Sequence, residues 1–70
     1  MDLENGKTYL ISHQRKGAFT LFVESQCDEW VNGQIVDGTA SAMMDYNVKQ
    51  KGEKITCRKS LIRRATQPLN

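Results

Sequence analysis

Few residue types in this 70-residue chain could perform covalent catalysis. His13 is the sole histidine, and as a general base it would need a nucleophile and an orienting carboxylate beside it. The serines that could act as nucleophiles are Ser12, Ser25, Ser41 and Ser60. No nucleophile-elbow motif surrounds any of them, so we predict that the protein is not an enzyme.

The two cysteines and the scattered acids do not form a metal-binding pattern. Cys27 and Cys57 lie 30 residues apart, and together with one histidine they match no zinc spacing. Asp28, Glu29 and Asp37 lack the spacing of a calcium loop. We expect both cysteines to be free thiols, and we predict neither a metal nor another cofactor.

The distribution of basic residues is the most distinctive chemical feature of the chain. Of the ten lysines and arginines, seven fall within residues 47–70, where Glu53 is the single acid. Residues 1–46 hold three basic and seven acidic residues, so the net charge of +2 conceals a strong asymmetry. Such an asymmetry indicates a charged partner, and cations spaced along a strand suit the phosphates of a nucleic acid.

Two segments could supply contacts to nucleic acid. In an extended segment 54–58, Lys54, Thr56 and Arg58 would share one face, and a polar loop at 13–17 would present further cations. The predicted nucleic-acid-binding residues are Arg15, Lys16, Lys49, Lys51, Lys54, Arg58, Lys59, Arg63 and Arg64. The simpler alternative is a solvated basic surface that the acidic half of the same domain balances.

A second hypothesis starts from Trp30, which follows Asp28 and Glu29. Because the sequence neighbours of this tryptophan are acids, the segment favours contact with protein over contact with nucleic acid. The chain would then be a protein–protein interaction factor, such as an inhibitor or accessory subunit of the kind a phage or another mobile element could encode. Its basic face would meet an acidic protein surface. Both hypotheses allow a homo-oligomer, and an oligomeric enzyme with a site between protomers is a third.

The elements that would position these residues are short β-strands separated by turns. Polar and glycine-containing breaks lie at 14–17, 25–28 and 37–38. The predicted strands are 7–12, 18–24, 30–36, 54–59 and 61–65.

The segment 40–48 has two interpretations. As a strand it would pair with 54–59 through a turn at 50–53, and as a helix it would be capped by Thr39 and end before Gly52. Its apolar residues would cover more than half of a helical circumference, which favours the strand. The helix, near residues 40–50, stays open as the alternative.

Five or six short strands in one domain, residues 1–70, predict an all-β fold, either a small closed barrel or a pair of orthogonal sheets, with fraying ends near 1–5 and 66–70. The segment 28–38, Asp-Glu-Trp-Val-Asn-Gly-Gln-Ile-Val-Asp-Gly, resembles the middle of an SH3 domain, where an acidic loop leads to a Trp-initiated strand, a glycine and a turn. The resemblance implies a small five- to six-stranded SH3-like barrel. The chain lacks the tyrosine-rich opening motif and the Pro-x-x-Tyr segment of SH3 domains, so the resemblance concerns the fold and not proline-peptide binding.

No apolar run approaches the roughly 20 residues of a membrane-spanning helix. The start of the chain, Met-Asp-Leu-Glu-Asn-Gly, is acidic and polar, unlike a secretory signal. We therefore expect a cytoplasmic location and no membrane partner.

Overall fold

The computed structural model describes residues 3–41 and 48–68. Within them the chain forms one antiparallel sheet of five strands, with almost no helix, and the predicted all-β class is confirmed. In chain order the elements are β1 (Thr8–His13), β2 (Gly17–Gln26), β3 (Trp30–Gly38), β4 (Lys54–Arg58), a 3-10 helix (Lys59–Leu61) and β5 (Ile62–Thr66). Their order across the sheet is β4-β3-β2-β1-β5. No helix among the described residues is long and apolar enough to cross a membrane.

β1 and β2 form a tight hairpin. Their register runs from Thr8 opposite Phe22 to His13 opposite Gly17, with a turn of three residues between them. Gly17 closes the turn at φ +83°, a left-handed conformation that glycine adopts without a steric penalty from Cβ. The loop predicted at 14–17 is therefore the turn of this hairpin.

The hydrophobic core lies on one face of the sheet. Because successive side chains of a strand point to opposite faces, the alternating apolar residues of every strand meet there. The buried apolar residues are Leu3, Tyr9, Ile11, Phe19, Leu21, Val23, Val31, Ile35, Ala40, Ile55, Cys57 and Ile62. Burial raises the pKa of the Cys57 thiol to about 11, so this cysteine is uncharged near neutral pH and serves as packing.

β2 and β3 approach each other closely at Gly33. Their register shifts twice, between Thr20 and Leu21 and between Val23 and Ser25. An added Cβ at Gly33 would lie only 2.1 Å from the backbone oxygen of Phe22, so only glycine fits there.

The sheet is open, which corrects the predicted closed barrel. β4 pairs with β3 and β5 pairs with β1, and no ladder joins β4 to β5 among the described residues. The 3-10 helix between them instead bonds to the turns on either side. Lys59 N donates to Glu29 O at 2.8 Å, and Leu61 O accepts from Gln14 N at 2.7 Å. These bonds attach the short link between β4 and β5 to both turns, and the two strands stand at opposite ends of the strand order.

The connection between β3 and β4 folds back on itself. Ala40 and Lys49 exchange two backbone hydrogen bonds of 2.8 Å each, forming an antiparallel bridge. The choice between strand and helix for 40–48 falls largely on residues 42–47, which lie outside the described residues. Residues 54–58 pair with β3 along one edge of β4. The predicted pairing of 40–48 with 54–59 depends on the same residues 42–47 and stays a prediction.

Candidate nucleic-acid interface

The solvent-facing side of β3 and β4 carries a paired set of polar side chains. The register places Trp30 opposite Arg58, Asn32 opposite Thr56 and Gln34 opposite Lys54. The residues between them, such as Val31, Ile55 and Cys57, are buried. Strand alternation therefore forces these six side chains onto the outer face, in three cross-strand pairs.

Hydrogen bonds and one ion pair order the middle of this face. Thr56 Oγ1 donates to Asn32 Oδ1 at 2.6 Å, and Asn32 Nδ2 donates to Ser25 Oγ at 3.2 Å, so one network crosses β4, β3 and β2. At one end of it Lys54 Nζ donates to the carboxylate of Glu24. This ion pair is exposed and contributes little to stability, about 0–1 kcal/mol.

Trp30 and Arg58 form a cation–π pair at the other end of the face. The Arg58 guanidinium carbon lies 4.7 Å from the centroid of the indole ring, within the range in which the ring quadrupole attracts a cation. Trp30 is still 36% exposed. The indole is therefore partly accessible, with a positive charge over its ring.

The β1–β2 turn brings further cations to this face. A cavity of about 240 Å³ is lined by turn residues Arg15 and Lys16 together with Trp30, Thr56 and Arg58. An adjoining cavity of about 490 Å³ is lined by Lys16, Asn32, Lys49, Lys54 and Thr56, among others. Lys16 and Thr56 stand on the walls of both cavities, so the two are neighbours. We call them together the basic groove, with Arg15, Lys16, Lys49, Lys54 and Arg58 as its cations and Trp30, Asn32 and Thr56 among its uncharged residues.

His13 holds the β1–β2 turn in place. Its Nδ1 accepts hydrogen bonds from the backbone amides of Arg15 and Lys16, both at 3.1 Å. Two donors to Nδ1 require the proton to sit on Nε2, which is buried and has no partner among the described residues. Burial lowers the pKa of the His13 imidazole below its usual value, and the charges of Lys16 and Arg15 lower it further. A neutral His13 therefore presents the basic turn to the groove.

A second contact anchors the same turn from the other side. Ser41 N donates to Lys16 O at 3.0 Å, which joins the turn to the segment after β3. Since Ala40 is bridged to Lys49, the turn and Lys49 are held on the same side of the groove.

The fold brings together five of the nine predicted nucleic-acid-binding residues. The cations of the basic groove come from the β1–β2 turn, β4 and the segment before it. The other four do not line the groove. Lys59 Nζ donates instead to Gln26 Oε1 at 2.6 Å, and Lys51, Arg63 and Arg64 are exposed elsewhere.

The acidic residues predicted to share a protein-binding site with Trp30 line a neighbouring cavity. Asp28 and Glu29 line a cavity of about 300 Å³ with Arg58 and Ser60, whereas Trp30 lines the basic groove. Arg58 stands on the walls of both, so the acidic cavity borders the groove at Arg58.

The predicted binding residues did not include three contributors to the groove: His13, which anchors the turn, and the hydrogen-bonded pair Asn32 and Thr56. Alternation alone places Asn32 on the face of Trp30, and Thr56 on the face of Arg58. The missing information was that β3 and β4 are neighbours in this register.

The charge balance of the groove favours an anionic ligand. Five cations line it, and the one carboxylate on its described walls, Glu24, is paired with Lys54. Clustered charge of one sign in a concave surface concentrates ligands of the opposite sign. Within the described residues, no group of three or more His, Cys, Asp or Glu side chains could hold a metal ion.

Comparison with protein-family models, curated proteins and solved structures found no match to this chain. The function of the groove must therefore be inferred from its own geometry and charge.

Proposed function

We propose that this protein is a non-enzymatic binding module that contacts nucleic acid through the basic groove. One observation carries the proposal: cations from the β1–β2 turn, β4 and the segment before β4 line two neighbouring cavities that share Lys16 and Thr56. Its walls also hold neutral hydrogen-bonding groups, Asn32 and Thr56, which suit the sugars and bases between phosphates.

The spacing of the hydrogen-bond donors along β4 also supports nucleic-acid binding. Lys54, Thr56 and Arg58 alternate along β4, so their side chains follow one another at intervals of about 7 Å. A row of donors at such intervals can follow a phosphate backbone. Each phosphate contact releases counterions, so affinity must depend steeply on salt.

We also propose an SH3-like arrangement for the sheet. The strand order β4-β3-β2-β1-β5 and the short 3-10 helix before the last strand support it, beside the resemblance of residues 28–38. In this arrangement the basic groove lies between the first hairpin turn and the β3–β4 face.

The test is a salt titration of a labelled 12-nucleotide single strand with matched arginine variants. If all five groove cations contact phosphates, the slope of log affinity against log salt is about −3.5, and affinity falls about 100-fold between 50 and 200 mM. The double variant Arg15→Ala/Arg58→Ala should lose at least about tenfold in affinity and about 1.4 units of slope.

The double variant Arg63→Ala/Arg64→Ala is the control, because it removes the same charge and residue type outside the groove. It should leave the slope unchanged. Equal losses in the two variants would contradict the groove as the binding surface. Negligible binding at 50 mM salt would overturn the proposed function itself.

A protein partner is the second candidate function. It is favoured by the exposed carboxylates of Asp28 and Glu29, which line a cavity with Arg58 and Ser60. Complementary charge on a partner would determine orientation and association rate there. The test is co-purification of one protein that survives nuclease treatment. Loss of this protein in Asp28→Asn/Glu29→Gln, with retention in the control Arg15→Ala/Arg63→Ala, would favour this function over nucleic-acid binding.

A further inference from the structure

We infer that the basic groove takes single-stranded nucleic acid, with one base stacked on Trp30. This inference rests on the proposed nucleic-acid function and specifies the form of nucleic acid that the groove selects. Its basis is the position of the one tryptophan in the chain, between cations on the wall of the groove.

The exposure of Trp30 follows from its place in β3. Its neighbour Val31 is fully buried, so alternation turns the indole outward. The large apolar residues that stand exposed among the described residues are Leu10, Trp30 and Val48. Of these three, only Trp30 lines the basic groove, which places its apolar surface where an anionic ligand would bind.

The partner of Trp30 strengthens the case for a base. The Arg58 guanidinium lies over the indole, with its carbon 4.7 Å from the ring centroid, so the pair is a stack of two flat groups. Both are surfaces on which nucleobases stack, and a guanidinium also binds the adjoining phosphate. A ligand with alternating flat apolar rings and phosphates matches both groups, whereas a simple anion would match only the cations.

The length of the groove floor limits the bound segment to a few nucleotides. From Arg58 to Lys54 the strand advances about 13 Å, with the hydrogen-bonded pair Asn32 and Thr56 between them. The cations therefore stand at both ends of an uncharged floor. A short extended strand can place phosphates at each end and a base on Trp30.

A duplex does not offer the same contact. Its bases are stacked on one another, and their flat faces are inaccessible to a side chain unless a base is first unstacked at a cost in free energy. A single strand exposes base faces without that cost. Trp30 therefore provides discrimination in favour of single strands, while the cations bind either form.

The experiment compares three 12-nucleotide probes with the intact protein at 50 mM salt: single-stranded oligothymidine, an abasic strand of equal charge, and a 12-base-pair duplex. Because Trp30 is the sole tryptophan, its fluorescence reports stacking without a label. We expect oligothymidine to quench this fluorescence and to bind about tenfold more tightly than the abasic strand. The abasic strand should bind without quenching.

Variants at Trp30 complete the test. Trp30→Ala should reduce oligothymidine affinity about tenfold and leave abasic-strand affinity unchanged, and Trp30→Phe should retain part of the difference. If Trp30→Ala fails to fold, the fluorescence comparison in the wild-type protein still decides the matter.

The possible outcomes separate the two proposals. Equal binding of oligothymidine and the abasic strand without quenching, or equal binding of the single strand and the duplex, would overturn this inference and leave the proposed function standing. Failure of all three probes to bind would overturn the proposed function as well.

Discussion

β4 and β5 are both basic edge strands of the same sheet, yet only β4 belongs to a candidate site. β4 carries Lys54 and Arg58, and β5 carries Arg63 and Arg64. All four side chains are exposed. By charge and exposure alone the two strands are equivalent.

They differ in what surrounds their charges. The cations of β4 are separated by an even number of residues, so they share a face with Thr56 and with the partner residues on β3. Those of β5 are adjacent in sequence, and Arg63 lies at a register shift against β1. Neither arginine lines the basic groove.

The difference shows that a charge cluster in sequence becomes a candidate site only when neighbouring elements add hydrogen-bonding and aromatic groups to it. The arginines of β5 are charged side chains on an exposed edge strand. Such side chains oppose pairing with another chain.

The largest effect is expected from a substitution at Gly33, which lies in β3 beside β4. Gly33→Ala would place Cβ against the Phe22 backbone, and we expect the free energy of unfolding to fall by about 3 kcal/mol. A domain of this length has only about 3.5–10 kcal/mol in total. Urea denaturation followed by circular dichroism measures the loss.

Gly17→Ala is the matched control on the β1 side. Gly17 has a left-handed φ but open space around its Cβ position, so the cost should be only about 1 kcal/mol. If Gly33→Ala lowers the free energy of unfolding no more than Gly17→Ala does, β2 and β3 do not approach each other closely at Gly33.

A smaller effect is expected from pH, through His13. In the unfolded chain this imidazole titrates near 6.5, and in the folded protein its pKa is lowered by burial and by Lys16 and Arg15. The unfolded state therefore binds more protons between the two values. Stability is complete above about pH 6.5 and declines as pH falls through that window.

Thermal unfolding of the wild-type protein and of His13→Asn at pH 7 and pH 5 checks this prediction. The asparagine side chain can still accept from the turn amides but does not titrate. We expect the midpoint of the wild-type protein to fall between the two pH values by more than that of the variant. Parallel declines would show that His13 does not confer the pH dependence.

The smallest effect should come from the hydrogen-bonded pair Asn32 and Thr56. It is measured by making the same substitution on β4 and on β5. Thr56→Val removes a hydroxyl from the floor of the groove and should lower oligonucleotide affinity about threefold. Thr66→Val makes the same change at an exposed position of β5 and should leave affinity unchanged. Both variants should unfold within about 0.5 kcal/mol of the wild-type protein. Equal affinity changes would place the ligand outside the groove.

Much of the fold could be predicted from local patterns. The strands predicted at 7–12, 18–24, 30–36, 54–59 and 61–65 correspond to β1 to β5 with small shifts at their ends. The closed barrel was wrong, because closure depends on contacts between segments distant in sequence. Local alternation contains no information on which strand lies beside which.

The same division holds for the candidate site. The positions of the strands and turns, the outward-facing side chains and the basic half of the chain can all be read from the sequence. These properties depend on a period of two and on glycine at turns, which are local. Only the tertiary structure shows that β4 pairs with β3 and that the turn anchored by His13 lines one cavity with Trp30 and Arg58. The physical reason is that strand pairing brings together residues distant in sequence, which no local pattern connects.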